Sequence, residues 1–265
     1  MYVDFAIAQS RGGRDNQEDY CAVWADGKLL TAKESNPQSG RSKSELIAVL
    51  CDGMGGHNAG EVASQLASRA FLDAIRPFAS RQNQLGVSLP DACEAANNAL
   101  AAQIDENKSL RGMGTTLIGV RIARSQLTWV SVGDSELYLY RGGTITKLNA
   151  DHSMRPVIEQ MVATNIISPD EALHHPDKNA LRSALSGEHV ALVDRGGAPV
   201  PLRKGDIVVI ASDGIATLPD SAIWKLLRSR LFQKTISIAR RIVAACDKAG
   251  GRHQDNTTVA VLKIR

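Results

Sequence analysis

Apolar and polar positions recur along this chain with two periods, and the switches between them predict the order of its elements. Residues 2–10 put Val3, Phe5 and Ile7 on one face and Asp4, Ala6 and Ala8 on the other, the period of a strand. Residues 20–24 predict a second strand. Residues 46–51 form an unbroken apolar run, too short for an ordinary helix and closed by a glycine cluster, so they predict a strand buried on both faces that delivers Asp52 at its end. Beyond Gly60, Val62, Leu66 and Ala70 recur at helical spacing, as do Ala63, Ala67 and Phe71. A second helix opens near Ser88 and runs to about Glu106. Residues 116–122, 126–132, 136–141 and 144–148 then predict an antiparallel series, with Gly142-Gly143 as a tight hairpin turn.

From 154 to 186 the pattern changes to short helices, one starting at Ser168-Pro169-Asp170-Glu171 and ending at His174 and His175. Strand signals resume near 191–194 and at 206–211, where a second buried strand delivers Asp213-Gly214. Helices at 221–231 and 235–249 and an alternating strand at 257–264 complete the order. The hydrophilic stretch 26–44 predicts a mobile loop with a short hairpin at Leu29 and Leu30.

Composition narrows the class. The 265 residues are 43% hydrophobic and carry no Pro/Ser-rich linker, so one domain spanning 1–265 is expected. A net charge of +3 with scattered basic residues argues against nucleic acid, and the densest basic stretch, 228–241, reads as a solvated helix face. Cys21, Cys51, Cys93 and Cys246 form no Cys-x-x-Cys pair, which suits reduced thiols in a cytoplasm. The N-terminus shows no basic n-region and no apolar run reaches membrane length, so no membrane partner is expected.

Candidate chemistry comes from acids at strand edges: Asp19, Asp52, Asp134, Asp213 and Asp255. A lone buried carboxylate is costly, whereas several converging on divalent cations compensate one another. Oxygen ligands without a matching Cys or His set favour magnesium or manganese over zinc. Arg14 precedes Glu18 and Asp19, and the planar fork of arginine suits a phosphate dianion. Paired metals of this kind can deprotonate a shared water for in-line attack on phosphorus.

Arg14 followed by Asn16-Gln17-Glu18-Asp19, Asp52-Gly-Met-Gly-Gly-His with Gly60-Glu61, Gly112-Met-Gly-Thr-Thr, Gly133-Asp-Ser, Asp151-His-Ser, Ser212-Asp-Gly and Asp255-Asn together resemble the metal-dependent type 2C serine/threonine protein phosphatases in their bacterial form. The resemblance spans nearly the whole chain in the family's order. It implies an α+β fold, a four-layer α-β-β-α sandwich of two antiparallel sheets flanked by helices. The family's paired manganese or magnesium site would fall on Asp19, Asp52, the carbonyl of Gly53, Asp213 and Asp255, with Glu18 as a helper one step removed from the metals. Arg14 would hold the substrate phosphate, and catalytic roles would rest on Arg14, Asp52 and Asp213. Asp134, with Asp213, would match a weaker third metal site, and 154–186 the family's mobile flap. The implied substrates are phosphorylated proteins supplied by a cognate serine/threonine kinase, acted on by a monomer. A non-catalytic phosphoprotein-binding module and a small-molecule phosphoesterase are the competing readings, because a fold does not fix a substrate.

Two positions depart from the pattern. Met54 stands where eukaryotic relatives carry a histidine assigned as general acid, and a methionine donates no proton. Some other group must protonate the leaving alkoxide; a metal-bound water is the first choice, and His57 and His152 are further candidate donors, each read first as a capping or packing residue. Asn165 stands where relatives have glycine, and asparagine tolerates the left-handed conformation such a turn needs.

Overall fold

The computed structural model of the chain describes residues 1–34, 36–55, 59–79, 87–228 and 233–265. Its strands are β1 Val3–Ser10, β2 Asp19–Ala25, β3 Lys28–Thr31, β4 Gln38–Ser42, β5 Leu46–Met54, β6 Gly114–Thr115, β7 Leu117–Ala123, β8 Gln126–Val132, β9 Glu136–Arg141, β10 Thr144–Lys147, β11 Val200–Pro201, β12 Ile207–Ala211 and β13 Thr257–Ile264. Its helices are α1 Ala59–Ala79, α2 Leu89–Glu106, α3 Arg155–Ala163, α4 Pro169–Leu173, α5 Asp220–Arg228 and α6 Thr235–Gly250.

Strand period explains how these elements stack. Alternate residues point to opposite faces, so a strand that is apolar on both faces must be covered twice. One sheet runs β10-β9-β12-β13-β1-β4 and the other β11-β8-β7-β5-β2-β3, with β6 paired to β5, and every pairing is antiparallel. Between the sheets, Phe5, Ile7, Leu46, Leu50, Val208 and Leu262 interlock in one apolar layer. On the outer face of the second sheet, Ile47, Val49 and Cys51 of β5 meet Ala63, Ala67 and Phe71 of α1 and Ala96 and Leu100 of α2. On the outer face of the first, Ile207, Val209 and Val261 meet Ile223 and Leu227 of α5 and Ile238 and Ile242 of α6. Three apolar layers between four tiers of secondary structure make the α-β-β-α sandwich that the motifs imply.

Small residues set how closely α1 approaches β7. Gly119 faces the Phe71 ring so tightly that a Cβ there would lie 2.2 Å from Phe71 Cζ. Phe71 is fully buried, which leaves its ring nowhere to retreat. Gly119→Ala is therefore expected to cost about 2 kcal/mol through overpacking, which at this size lowers the melting temperature by roughly 4–8 °C. Activity per folded molecule should stay unchanged, since Gly119 lies inside the α1 layer; calorimetry beside kinetics on one preparation checks both halves.

The structure departs from the sequence expectations in three places. The stretch 26–44 is not one mobile loop: β3 pairs with β2 as the hairpin predicts, and β4 forms the outer edge of the first sheet against β1. Its Gln-Ser-Gly-Arg-Ser sequence carries no strand signal because an edge strand need not be apolar, and Gly40 is required there, a Cβ coming within 2.5 Å of the Phe5 ring. The expected strand at 191–194 reduces to a single bridge between Ser131 and Asp194. β5 does not end at Asp52 but runs on to Met54, held by β6. The helix expected at 221–231 is seen as α5, and 229–231 lie outside the described residues. Elsewhere the predicted devices form: Ser88 and Ser168 each close a reciprocal capping box, with Asp91 and Glu171, and Asn165 adopts φ +57°. All four cysteines are buried and unbridged.

Candidate metal and phosphate site

The two sheets meet at one end of the sandwich, and there the acids converge. β2 and β5 are neighbours with Asp19 directly opposite Asp52, so both carboxylates leave the second sheet at one level. β12 ends in the first sheet immediately before Ser212 and Asp213, while Asp255 precedes β13, its neighbour. Polar ties cross between the sheets at this level. The Ser212 hydroxyl donates to Asp19 Oδ2 at 2.7 Å and accepts the Thr258 N–H at 2.9 Å. Asn256 clamps the 11–18 loop: its Oδ1 accepts the Glu18 N–H at 2.7 Å, and its Nδ2 donates to the carbonyls of Arg11 and Asn16.

Asp-Gly turns matter here for close approach. A Cβ on Gly53 would lie 2.0 Å from the Gly60 carbonyl oxygen, and one on Gly214 would lie 2.1 Å from that of Asn256. Neither position holds a side chain without moving the backbone that aims its aspartate. The Asp52 backbone is held at both ends, its N–H donating to Thr116 Oγ1 and its carbonyl accepting from Thr116 N–H and Thr115 Oγ1.

A cleft of about 520 Å³ opens over this level, lined by Arg14, Glu18, Asp52, Gly53, Asp134 and Asp213 among others. Asp255 and Met54 also face it, and Asn179 and Leu181 bring the end of the 154–186 segment to its wall. Burial raises the Asp52 carboxyl well above its ordinary range, and the neighbouring carboxylates of Asp19, Asp213, Asp134 and Asp255 push it further. Burial likewise brings Asp19 up to about 6 and Asp213 up to about 7. Acids so placed need a counter-charge. Asp19 Oδ1 is buried and has no hydrogen-bond partner, and the ligand atoms on offer are all oxygens. Hard divalent cations fit that donor set.

The expected residues do not meet in one closed ligand sphere. Among the described residues no three acidic, histidine or cysteine groups stand together at metal spacing. Two arginines pair with acids at this level. Arg14 Nη2 pairs with Asp255 Oδ2 at 2.5 Å, which also raises the Arg14 pKa. Arg155 Nη2 pairs with Asp134 Oδ2 at 2.7 Å.

Of the histidines, His57 lies outside the described residues. His152 is buried; its Nδ1 accepts the Gly133 N–H at 3.2 Å, and burial lowers its pKa, so it packs as a neutral ring. Ser135 shapes the Asp134 turn by pairing with Thr116 Oγ1 at 2.8 Å, and Asn149 braces it through the Ser135 carbonyl and the Leu137 N–H. Sequence reasoning gave Thr116, Ser212 and Asn256 no role beyond their motifs, and missed Arg155. A signal existed for Arg155: a cation in the first turn of α3 opposes the helix dipole, so something else must hold it there.

A four-layer sandwich with a carboxylate mouth between its sheets and an arginine at the rim is an arrangement suited to divalent cations beside a phosphate. The family model described as Protein phosphatase 2C matches residues 38–254. Over 267 residues the chain is 31% identical to the serine/threonine phosphatase stp of Listeria monocytogenes, covering 99% of this chain and 96% of that protein. It is 30% identical to the serine/threonine phosphatase PstP/Ppp of Mycobacterium tuberculosis, whose crystal structure superposes with a TM-score of 0.76 over 100% of both chains. A structure of the PstP catalytic domain in complex with two manganese ions, also 30% identical over 100% of both chains, superposes with a TM-score of 0.73. The chain belongs to the protein phosphatase 2C family. The family match starts after Asp19 and stops before Asp255, and the full-length likeness to stp takes in both.

Proposed function

We propose that this chain is a manganese- or magnesium-dependent phosphatase that hydrolyses phosphoserine and phosphothreonine in proteins, as one catalytic unit with 154–186 as a flap over the site. The observation that carries this reading is that Asp19, Asp52, Asp213 and Asp255 come from both sheets to one end of the sandwich, close enough to raise the Asp52 pKa together, with Asp19 Oδ1 buried and unpartnered and a guanidinium at the rim. Asp19, Asp52, the Gly53 carbonyl, Asp213 and Asp255 would hold the metals. Bound there, the cations supply a water that is nucleophilic at neutral pH and neutralise charge on the phosphoryl group.

The remaining work falls to side chains of this chain. Arg14 exchanges Asp255 for two phosphate oxygens and sets the phosphorus over the acids. Glu18, whose carboxyl burial holds above its usual range, stands at the cleft wall against the Gly60 backbone, while its N–H and carbonyl tie the loop to Asn256 and Gly53. Met54 gives the cleft an apolar wall and no proton. Unbridged buried thiols support a reducing cytoplasm, and the substrate class requires a serine/threonine kinase upstream. Among the described residues no helix is long and apolar enough to cross a membrane.

Phosphothreonine and phosphoserine peptides assayed beside phosphorylated metabolites, with manganese present, test the proposal. Peptide hydrolysis is expected to dominate. Peptide binding without turnover, or a clear preference for metabolites, would remove it.

Arg14→Ala separates substrate binding from the acids. It is expected to raise KM and the inhibition constant for inorganic phosphate together, by roughly tenfold, the scale of one exposed charge-assisted contact. Metal affinity by calorimetry should not fall, since Arg14 contributes no ligand oxygen and its removal frees Asp255. A collapse of metal binding would make Arg14 structural.

A further inference from the structure

Arg155 is the one cation of α3 that faces the acids. Its Nη2 donates to Asp134 Oδ2 at 2.7 Å, and its Nε, buried and without a hydrogen-bond partner, lies 4.0 Å from Asp151 Oδ2. The same positive charge opposes the rise in the Asp213 pKa. Neighbouring backbone leaves it little freedom. His152 N–H donates to the Gly133 carbonyl at 3.1 Å while His152 Nδ1 accepts from Gly133, which ties 151–155 to the turn that carries Asp134. Met154 N–H donates to the Ala180 carbonyl, Arg155 N–H donates to Ser153 Oγ, and Pro156 follows with its backbone φ fixed.

We propose that the Arg155 guanidinium occupies the place of a third cation, neutralising Asp134 from within the chain, so that this protein binds the paired metals and no third one. The inference rests on the paired-metal reading above. A divalent ion drawn to Asp134 would meet a carboxylate oxygen already in use by a largely buried guanidinium, whereas Arg14 is mostly exposed and can leave Asp255 for a substrate. Arg155 holds its charge at any physiological pH and cannot exchange with solvent as a weakly held ion does. Its contact also joins 151–163 to the acids directly, which makes Arg155 a positioning residue for the flap.

Manganese stoichiometry decides the matter without reference to turnover. Equilibrium dialysis of the full chain, with free ion counted by electron paramagnetic resonance, should give two ions per wild-type chain up to millimolar manganese, and Asp134→Asn should leave that number unchanged. Arg155→Met keeps the aliphatic stem and removes the charge; it should take up a third, millimolar ion that Arg155→Met with Asp134→Asn loses again. Arg155→Lys should remain at two. Melting curves on each variant certify that it is folded. A third ion on the wild type, lost in Asp134→Asn, would overturn the inference and spare the paired-metal reading. Two ions on folded Arg155→Met would overturn it as well, because the guanidinium would then be blocking nothing. No ion on any variant would remove the paired-metal reading, and this inference with it.

Discussion

Asp52→Asn is expected to lower turnover of a phosphothreonine peptide at saturating manganese by on the order of 10³-fold. Several kcal/mol of transition-state charge stabilisation depend on correctly held cations, and each 1.4 kcal/mol is about tenfold in rate. Asp52 sits where losses compound: it faces Asp19 across the β2–β5 pairing, and its carboxyl is influenced by four other acids. The fold should not suffer from the change. An amide in place of this carboxylate removes a buried charge from a cluster of like charges, so the metal-free variant is expected to melt no lower than metal-free wild type. Asp213→Asn should behave alike. Loss of activity together with a much lower melting point would mean that Asp52 serves the fold, and a loss of only a fewfold would mean that the site lies elsewhere.

Removing metal should have the other large effect. With a chelator in excess, hydrolysis of phosphopeptide and of a generic aryl phosphate is expected to vanish, and added manganese or magnesium should restore both. Stability should follow the same titration. A ligand at a hundred times its Kd stabilises the folded state by about 2.7 kcal/mol, roughly 5–10 °C of melting temperature at this chain length. The sign follows from the charges: protein without metal holds several carboxylates together with one buried oxygen unpartnered, and cations relieve both. Full activity in chelator would overturn the metal-dependent reading, whatever the melting curves show.

The buried strands were readable because their residues are apolar on both faces, which leaves few alternatives to the middle of a sandwich. Residues 46–51 and 207–211 are such strands, and each brings an Asp-Gly with it. The caps at Ser88 and Ser168 were readable for a different reason: capping is settled within four residues. β4 was not readable. Its polar sequence becomes a strand only because β1 offers an unpaired edge and Phe5 needs a residue without a side chain above it, and neither fact is local. The 191–194 stretch failed in the opposite direction, with strand-like residues that find one bridging partner, Ser131, in place of a neighbouring strand.

By itself the sequence determined the order of elements, the two-faced strands, the local caps and the set of acids that end up near one another. These follow from period, composition and spacing, which act over a few residues. Only the tertiary structure decided how the acids are balanced. Pairing of β2 with β5 sets Asp19 against Asp52, the meeting of the two sheets brings Ser212 and Asn256 to the same level, and the packing of 151–155 on the Gly133 turn gives Asp134 an arginine from a distant helix. Charge acts through space between groups far apart in the chain, so the partner that a buried carboxylate finds is fixed by packing and not by its neighbours in sequence.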